Sequence, residues 1–231
     1  MSGPVLAIDS STLGGSVAVG VDGRVAAERV LPNQAGASGT LLPNADDALR
    51  EAGFGPGDVA ALVVGGGPGS FTGLRIAAAT AKATVRVRGV PLFAYSGLLG
   101  AAAARRVEGR AVCALFDARN REVYAGCWRF ADGVVEEMAI EALALDALVE
   151  RFRADPPLFT GDGAWMHRDT LAATFGADAV TPEEGPSSAA GLLWLMAAVP
   201  ERGLVADPSA WEPEYVRPSG AERIAAEGRV R

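Results

Sequence analysis

The sequence predicts an α/β protein of two related lobes, each a mixed sheet flanked by helices. Three observations carry that expectation. A pattern of three short strands followed by a helix occurs twice, over roughly residues 5–52 and again over roughly 111–153. A glycine-rich block, Gly65-Gly66-Gly67-Pro68-Gly69-Ser70-Phe71-Thr72-Gly73, joins a β-branched run to a long Ala-rich helical pattern. The chain has 231 residues, 49% of them hydrophobic and 21% charged, enough for one large core or two smaller ones.

Pro4–Ser10, with Val5-Leu6-Ala7-Ile8-Asp9 at its centre, reads as a buried strand that ends in the polar cluster Asp9-Ser10-Ser11-Thr12. Ser16–Val21 alternates, Asp22-Gly23 supplies a hairpin turn, and Arg24–Leu31 completes an antiparallel meander. From Thr40 to Ala52 the apolar residues Leu41, Leu42, Ala45, Ala48, Leu49 and Ala52 fall at helical spacing. Thr40 is placed to cap this helix, and Pro43 lies in its first turn, where proline is tolerated. Val59–Val64 is a fourth strand. After the glycine block a helix runs from about Thr72 to Arg88 and is closed by Gly89. Pro91–Tyr95 is a fifth strand and Gly97–Arg106 a short helix.

The second unit opens with strands over Ala111–Phe116, Glu122–Phe130 and Val134–Met138, joined by turns at Arg119-Asn120-Arg121 and Asp132-Gly133. A helix over Ala144–Arg153 follows, then a short strand, Leu158–Thr160, ahead of Gly161-Asp162-Gly163. Trp165–Phe175 and Ser187–Val199 read as helices, and the prolines of Pro213-Glu214-Tyr215-Val216-Arg217-Pro218 favour an extended tail. The pattern repeats without obvious repetition of sequence. The expected division is a first lobe over residues 1–106, completed by about 205–231, and a second lobe over 107–204.

Composition excludes several classes. A net charge of −7 argues against a broad surface that tracks nucleic-acid phosphates. Arg105, Arg106 and Arg110, like Lys82, Arg86 and Arg88, read as solvated helix ends, with a local basic patch as the alternative. No apolar run reaches the roughly 18 residues of a membrane span. The start, Met1-Ser2-Gly3-Pro4-Val5, lacks a basic segment, so a cytoplasmic protein is expected. Cys113 and Cys127 sit in strand-like runs and read as reduced, buried thiols.

Catalytic constellations are missing from the pattern. His167 is the single histidine, so no His pair can bind zinc or iron, and no Cys-x-x-Cys occurs. Pro68-Gly69-Ser70-Phe71-Thr72 is not a nucleophile elbow. No catalytic residue, metal ligand or cofactor is expected. The glycine block lacks a following Gly-Lys-Ser/Thr and is not a Walker loop. Its amides over Gly67–Thr72 either form an anion nest or make a tight crossover between strand and helix. Asp9-Ser10-Ser11 and Gly161-Asp162-Gly163 each read as a polar turn, with a phosphate or metal-water site as the alternative. The helix beyond the block carries Gly73, Ala77, Ala78, Thr80, Ala81 and Thr84, small residues at spacings of three and four. Such a helix accepts a close neighbour; a partner subunit is the favoured one, with burial within its own lobe as the alternative.

Taken together, Asp9-Ser10-Ser11, Leu41-Leu42-Pro43, Gly67-Pro68-Gly69-Ser70-Phe71-Thr72-Gly73-Leu74-Arg75-Ile76, Asp117-Ala118-Arg119 with Glu122-Val123-Tyr124, and Pro213 to Arg217 resemble the TsaB (YeaZ) family. The resemblance covers nearly the whole chain, in order. It implies the actin/Hsp70/sugar-kinase-like (ribonuclease H-like) fold. It implies a non-catalytic, dimerising and activating subunit in the formation of threonylcarbamoyladenosine at position 37 of tRNAs reading ANN codons. Partners would be a TsaD-like catalytic paralogue and a TsaE-like ATPase, with tRNA reached only through the complex. A homodimer and a weakly bound nucleotide at a subunit junction are left open.

The interface implied by the resemblance is a helical bundle from the first two helices, carried here by Leu41, Leu42, Ala45, Leu49, Gly73, Ala77, Thr80, Ala81 and Thr84. Asp9, Ser10, Ser11, Gly67, Gly69, Ser70 and Thr72 would be a vestigial phosphate site. Two features depart from relatives: Ala37-Ser38-Gly39-Thr40 before the first helix and Arg86-Val87-Arg88 at the end of the second. The alternatives are a stand-alone ATP-dependent phosphotransferase of the same superfamily and a metallopeptidase, the latter opposed by the absent His pair.

Overall fold

The computed structural model describes residues 3–12, 15–31, 39–118, 122–131, 133–182 and 187–216. The expected turn at Arg119-Asn120-Arg121, the Ala37-Ser38 step, Asp132 and the segment from Arg217 onward lie outside the described residues.

The first lobe is built on strands β1 (Val5–Asp9), β2 (Ser16–Val21), β3 (Arg24–Val30), β4 (Ala61–Gly65) and β5 (Leu92–Tyr95), in the order β3-β2-β1-β4-β5. The meander β1-β2-β3 is antiparallel, and β4 and β5 add in parallel. Parallel addition requires crossovers. Helices α1 (Leu41–Glu51) and α2 (Phe71–Arg88) supply them, and α3 (Gly97–Ala104) follows β5. Their apolar sides meet β1, β2 and β4 in a core that holds Ile8, Val17, Val19, Leu41, Leu49, Leu62, Val64, Ala77 and Ala81.

The second lobe repeats the design. Strands β6 (Ala111–Asp117), β7 (Glu122–Phe130), β8 (Val134–Ala144) and β9 (Leu158–Thr160) lie in the order β8-β7-β6-β9, with the same antiparallel meander and parallel addition. Helix α4 (Leu145–Arg151) fills the place of α1. Helices α5 (Asp162–Met166) and α6 (Arg168–Phe175) fill that of α2. The fifth strand is reduced to one parallel bridge, Phe159 to Val180. Helix α7 (Ser188–Ala198) then corresponds to α3, and α8 (Pro200–Gly203) follows it. This is the actin/sugar-kinase-like, ribonuclease H-like arrangement.

Several expectations change. The helix predicted over Trp165–Phe175 is two helices that meet at His167. β8 runs on to Ala144, well past Met138. Thr40 precedes α1 without capping it through its side chain. Two 3₁₀ turns, Pro56–Asp58 and Ala177–Ala179, add to the expected elements.

The lobes share a core. Ala7, Ala18 and Val63 of the first sheet and Val112, Ala114, Phe116 and Trp128 of the second belong to one buried cluster with Leu98, Leu192 and Leu195. Helices α3 and α7 lie at its centre, and glycine lets them touch. A Cβ on Gly191 would overlap the Gly100 carbonyl oxygen, and would stand 2.8 Å from the Ala104 nitrogen. A Cβ on Gly100 would stand 3.0 Å from Leu192 Cδ2 and 3.1 Å from the Ser188 oxygen. The two helices also start alike. Ser96 and Ser187 each accept, at Oγ, the amide three residues on, from Leu99 and Ala190. Each serine stands four residues before its contact glycine, Gly100 or Gly191.

After α8 the chain returns to the first lobe. Leu204 bridges Phe93, the Val205 amide donates to the Leu92 oxygen at 2.9 Å, and the Glu214 amide donates to the Gly66 oxygen at 2.7 Å.

Candidate functional site

The glycine block is where the close approach happens, and backbone makes it. The Ser70 amide donates to the Ser11 oxygen at 2.7 Å, and Ser10 Oγ donates to the Gly73 oxygen at 2.7 Å. A Cβ on Gly69 would overlap the Ser11 oxygen, one on Gly73 the Ser10 oxygen, and one on Gly67 the Glu214 oxygen. Gly67 and Gly69 also take positive φ, 106° and 156°. The Gly66 amide donates to the Tyr95 oxygen, and Ser70 Oγ accepts the Gly73 amide and caps α2. Of the expected phosphate set, then, Ser10, Ser11 and Ser70 are held by hydrogen bonds within the block, and Gly67 and Gly69 lie against the Glu214 and Ser11 oxygens. Thr72 is exposed on the first turn of α2.

Asp9 lies behind this block. Its Oδ1 accepts the Ser11 amide at 3.0 Å and the Ser11 hydroxyl at 2.6 Å. At the matching strand ends of the second lobe, the Asp117 amide donates to Asp162 Oδ1 at 3.3 Å. Asp162 is open to solvent on one side and ringed by protein on the others. Desolvation pushes its carboxyl up to about 6, backbone amides of Asp117 and Gly163 oppose the shift, and the charges of Asp117 and Asp9 add to it. The sequence signal for Asp162 was only a Gly-Asp-Gly turn after a strand.

The helical surface divides differently from the expected interface. On α1, Leu41, Ala45 and Leu49 are buried in their own lobe. On α2, so are Ala77 and Ala81. These five positions are corrected from partner-facing to internal: the sheet beneath already covers that stripe. Gly73, Thr80 and Thr84 are half-buried along its edge, and Thr84 Oγ1 donates back to the Thr80 oxygen at 2.9 Å. Leu42 points outward and is 61% exposed.

What α2 offers to solvent is the next stripe round. Thr72, Ala79, Ala83 and Val87 are exposed, with Ile76 half-buried beside them, and Val87 reaches 82%. Spacings of three and four put them on one face. At the start of α2, Tyr215 lies over Phe71 with ring centroids 5.1 Å apart, and the Arg75 guanidinium sits 4.1 Å from the Phe71 ring. Farther along, Lys82 Nζ donates to Glu212 Oε1 at 2.6 Å. The returning chain is thus clamped to α2 at both points. The exposed residues Ala79, Ala83 and Val87 carried a signal that the expected set passed over: small or aliphatic side chains at a spacing of four, the first two each one position before Thr80 and Thr84.

Comparisons with known proteins agree with one another. A family model described as TsaD, tRNA N6-adenosine threonylcarbamoyltransferase, matches residues 28–181. The tRNA threonylcarbamoyladenosine biosynthesis protein TsaB of Bacillus subtilis (strain 168) is 29% identical over 228 residues, 94% of this chain and 96% of that one. An uncharacterized protein of Mycobacterium tuberculosis H37Rv is 34% identical over 227 residues, 96% of this chain and 95% of its own. Among solved structures, YeaZ from Pseudomonas aeruginosa superposes with a TM-score of 0.75 at 30% identity, over 93% of this chain and 100% of that one.

Proposed function

The chain belongs to the TsaB (YeaZ) family, and from that premise we propose that it serves tRNA threonylcarbamoyladenosine biosynthesis as a non-catalytic scaffold. Its role is to bind and activate a TsaD-like catalytic paralogue, with a TsaE-like ATPase completing the assembly. The supporting observation is the outer stripe of α2, Thr72, Ala79, Ala83 and Val87, with Leu42 exposed on α1. A helix with small residues outside as well as inside leaves room for a second helix against it. The glycine block supports the scaffold over a phosphotransferase, since backbone of Ser10, Ser11 and Glu214 accounts for the close approach its glycines allow without a ligand.

The test is co-purification with a TsaD-like paralogue, followed by a tRNA modification assay with and without this chain. Ala83→Arg and Val87→Glu should weaken both association and stimulated modification, with circular dichroism unchanged. Full stimulation by both variants would refute the docking face. Turnover of a nucleotide or peptide by the isolated chain would refute the scaffold role itself.

A further inference from the structure

Helix α2 is electrically one-sided. The chain has 28 acidic residues against 21 basic ones, yet the 18 residues of α2 hold Arg75, Lys82, Arg86 and Arg88 and no carboxylate. Arg88 is engaged elsewhere, its guanidinium donating to the Gly57 oxygen. The other three are spaced by seven and by four, so they run down one flank of the exposed stripe of Thr72, Ala79, Ala83 and Val87. The opposite flank is uncharged and carries Thr80 and Thr84. Arg75 is held over the Phe71 ring and Lys82 by Glu212, as described. Arg86 is exposed and, among the described residues, has no ion pair or hydrogen bond. It belongs to the Arg86-Val87-Arg88 step that sets this sequence apart, and the docking stripe alone does not account for it.

A second copy of the chain offers little to neutralise this flank. Helix α2 brings no carboxylate of its own. On α1, Asp46 and Asp47 are paired with Arg50, and Glu51 is paired with Arg29. Two α2 helices packed antiparallel about a two-fold axis at Ala79 and Ala83 would set cationic flank against cationic flank, with Arg75 of each copy near Arg86 of the other. A parallel pair would set the cations against threonines. Neither arrangement supplies a counter-charge, and the first adds repulsion.

We propose that the flank of Arg75, Lys82 and Arg86 selects a partner helix that carries carboxylates beside its own small contact residues, and so directs α2 to a heterologous partner over a second copy. This rests on the docking face described under the proposed function and adds the chemistry that the docked helix must have. The apolar stripe supplies the contact. The charged flank, at its rim, acts on the rate of encounter and on the choice of partner. An isologous pair is penalised by the same cations that attract an acidic helix.

The experiment measures association of the full chain with the TsaD-like paralogue by stopped flow, at about 0.05 M and about 0.5 M salt. The association rate constant should fall about tenfold between the two, and Arg86→Lys should keep both values. Arg86→Glu should lower the rate at low salt about tenfold and flatten its salt dependence. Sedimentation of each chain alone reports self-association. It should be weaker for the wild type than association with the paralogue, and stronger for Arg86→Glu, which sets opposite charges together in the antiparallel pair. Circular dichroism checks that this exposed substitution leaves the fold intact. An association rate and salt dependence unchanged by Arg86→Glu would overturn the proposal, as would wild-type self-association as tight as binding to the paralogue. If Val87→Glu weakens association and Arg86→Glu does not, the charged flank falls and the docking face stands. If neither does, the docking face falls with it.

Discussion

Replacing Gly191 with alanine tests how the two lobes are joined. The new Cβ would overlap the Gly100 oxygen and stand 2.8 Å from the Ala104 nitrogen and 2.9 Å from the Gly100 carbon. All three neighbours are backbone of α3, so no side chain can rotate away. The helices must part by about 1 Å to relieve the overlap, and a gap of 0.5–1 Å forfeits a quarter to a half of each dispersion contact it opens. Those contacts include Leu98, Leu192 and Leu195, all fully buried in the shared core. Overpacking of this kind costs about 1–3 kcal/mol. Alanine returns about 0.5–1 kcal/mol as a better helix former than glycine. The net is a loss of about 1–2 kcal/mol, and for a chain of 231 residues that lowers Tm by about 2–8 °C. Thermal unfolding followed by circular dichroism measures it. Gly57→Ala is the control, because a Cβ there meets nothing within 4 Å. A Tm for Gly191→Ala equal to that of the control would refute the close crossing of α3 and α7.

The other expectations are simpler. Val87→Glu removes an exposed aliphatic contact, worth about 1.5–2 kcal/mol if fully buried by a partner. It should weaken association about tenfold or more by calorimetry, with Tm of the lone chain within about 1 °C. Asp162 binds its proton more tightly folded than unfolded, so stability should fall as pH rises from about 4 to about 6 and level off above. Solvent exposure keeps this to about 1 kcal/mol, and urea unfolding of Asp162→Asn across that range should lose the slope. Gly73→Ala drives a methyl into the Ser10 oxygen and should destabilise the chain by about 2 kcal/mol, read by the same unfolding.

Much of the architecture was legible because periodicity reports local burial. β2, β7 and β9 have the predicted bounds, and Gly89 ends α2 in the left-handed conformation expected of it, at φ 65°. The failures are equally physical. At His167 the chain turns between two short helices, a bend that apolar spacing does not record. On α2 the sequence marks which residues are small but not which stripe the sheet claims. Ala77 and Ala79 are the same residue, and only β4 and β1 beneath the helix make one internal and the other external. The serine-to-glycine spacing of Ser96–Gly100 and Ser187–Gly191 was present in the sequence, but two residues in five do not stand out as a repeat until the helices are seen in contact.

That small repeat bears on how the molecule divides its tasks. In each lobe the first strand ends in an aspartate, Asp9 or Asp117, and the fourth in a glycine turn, Gly65–Gly67 or Gly161–Gly163. The lobes then treat these ends differently. In the first, Ser10, Ser11 and the returning segment at Glu214 press onto the glycine turn and fill it with backbone. The same segment reaches α2 through Tyr215 on Phe71 and Glu212 on Lys82. Backbone that closes the turn therefore also braces the helix that carries the outer apolar stripe. In the second lobe Asp162 stays open to solvent. Closing the glycine turn of one lobe braces α2 while the matching turn of the other stays open, so the two places can be perturbed independently by Val87→Glu and Asp162→Asn.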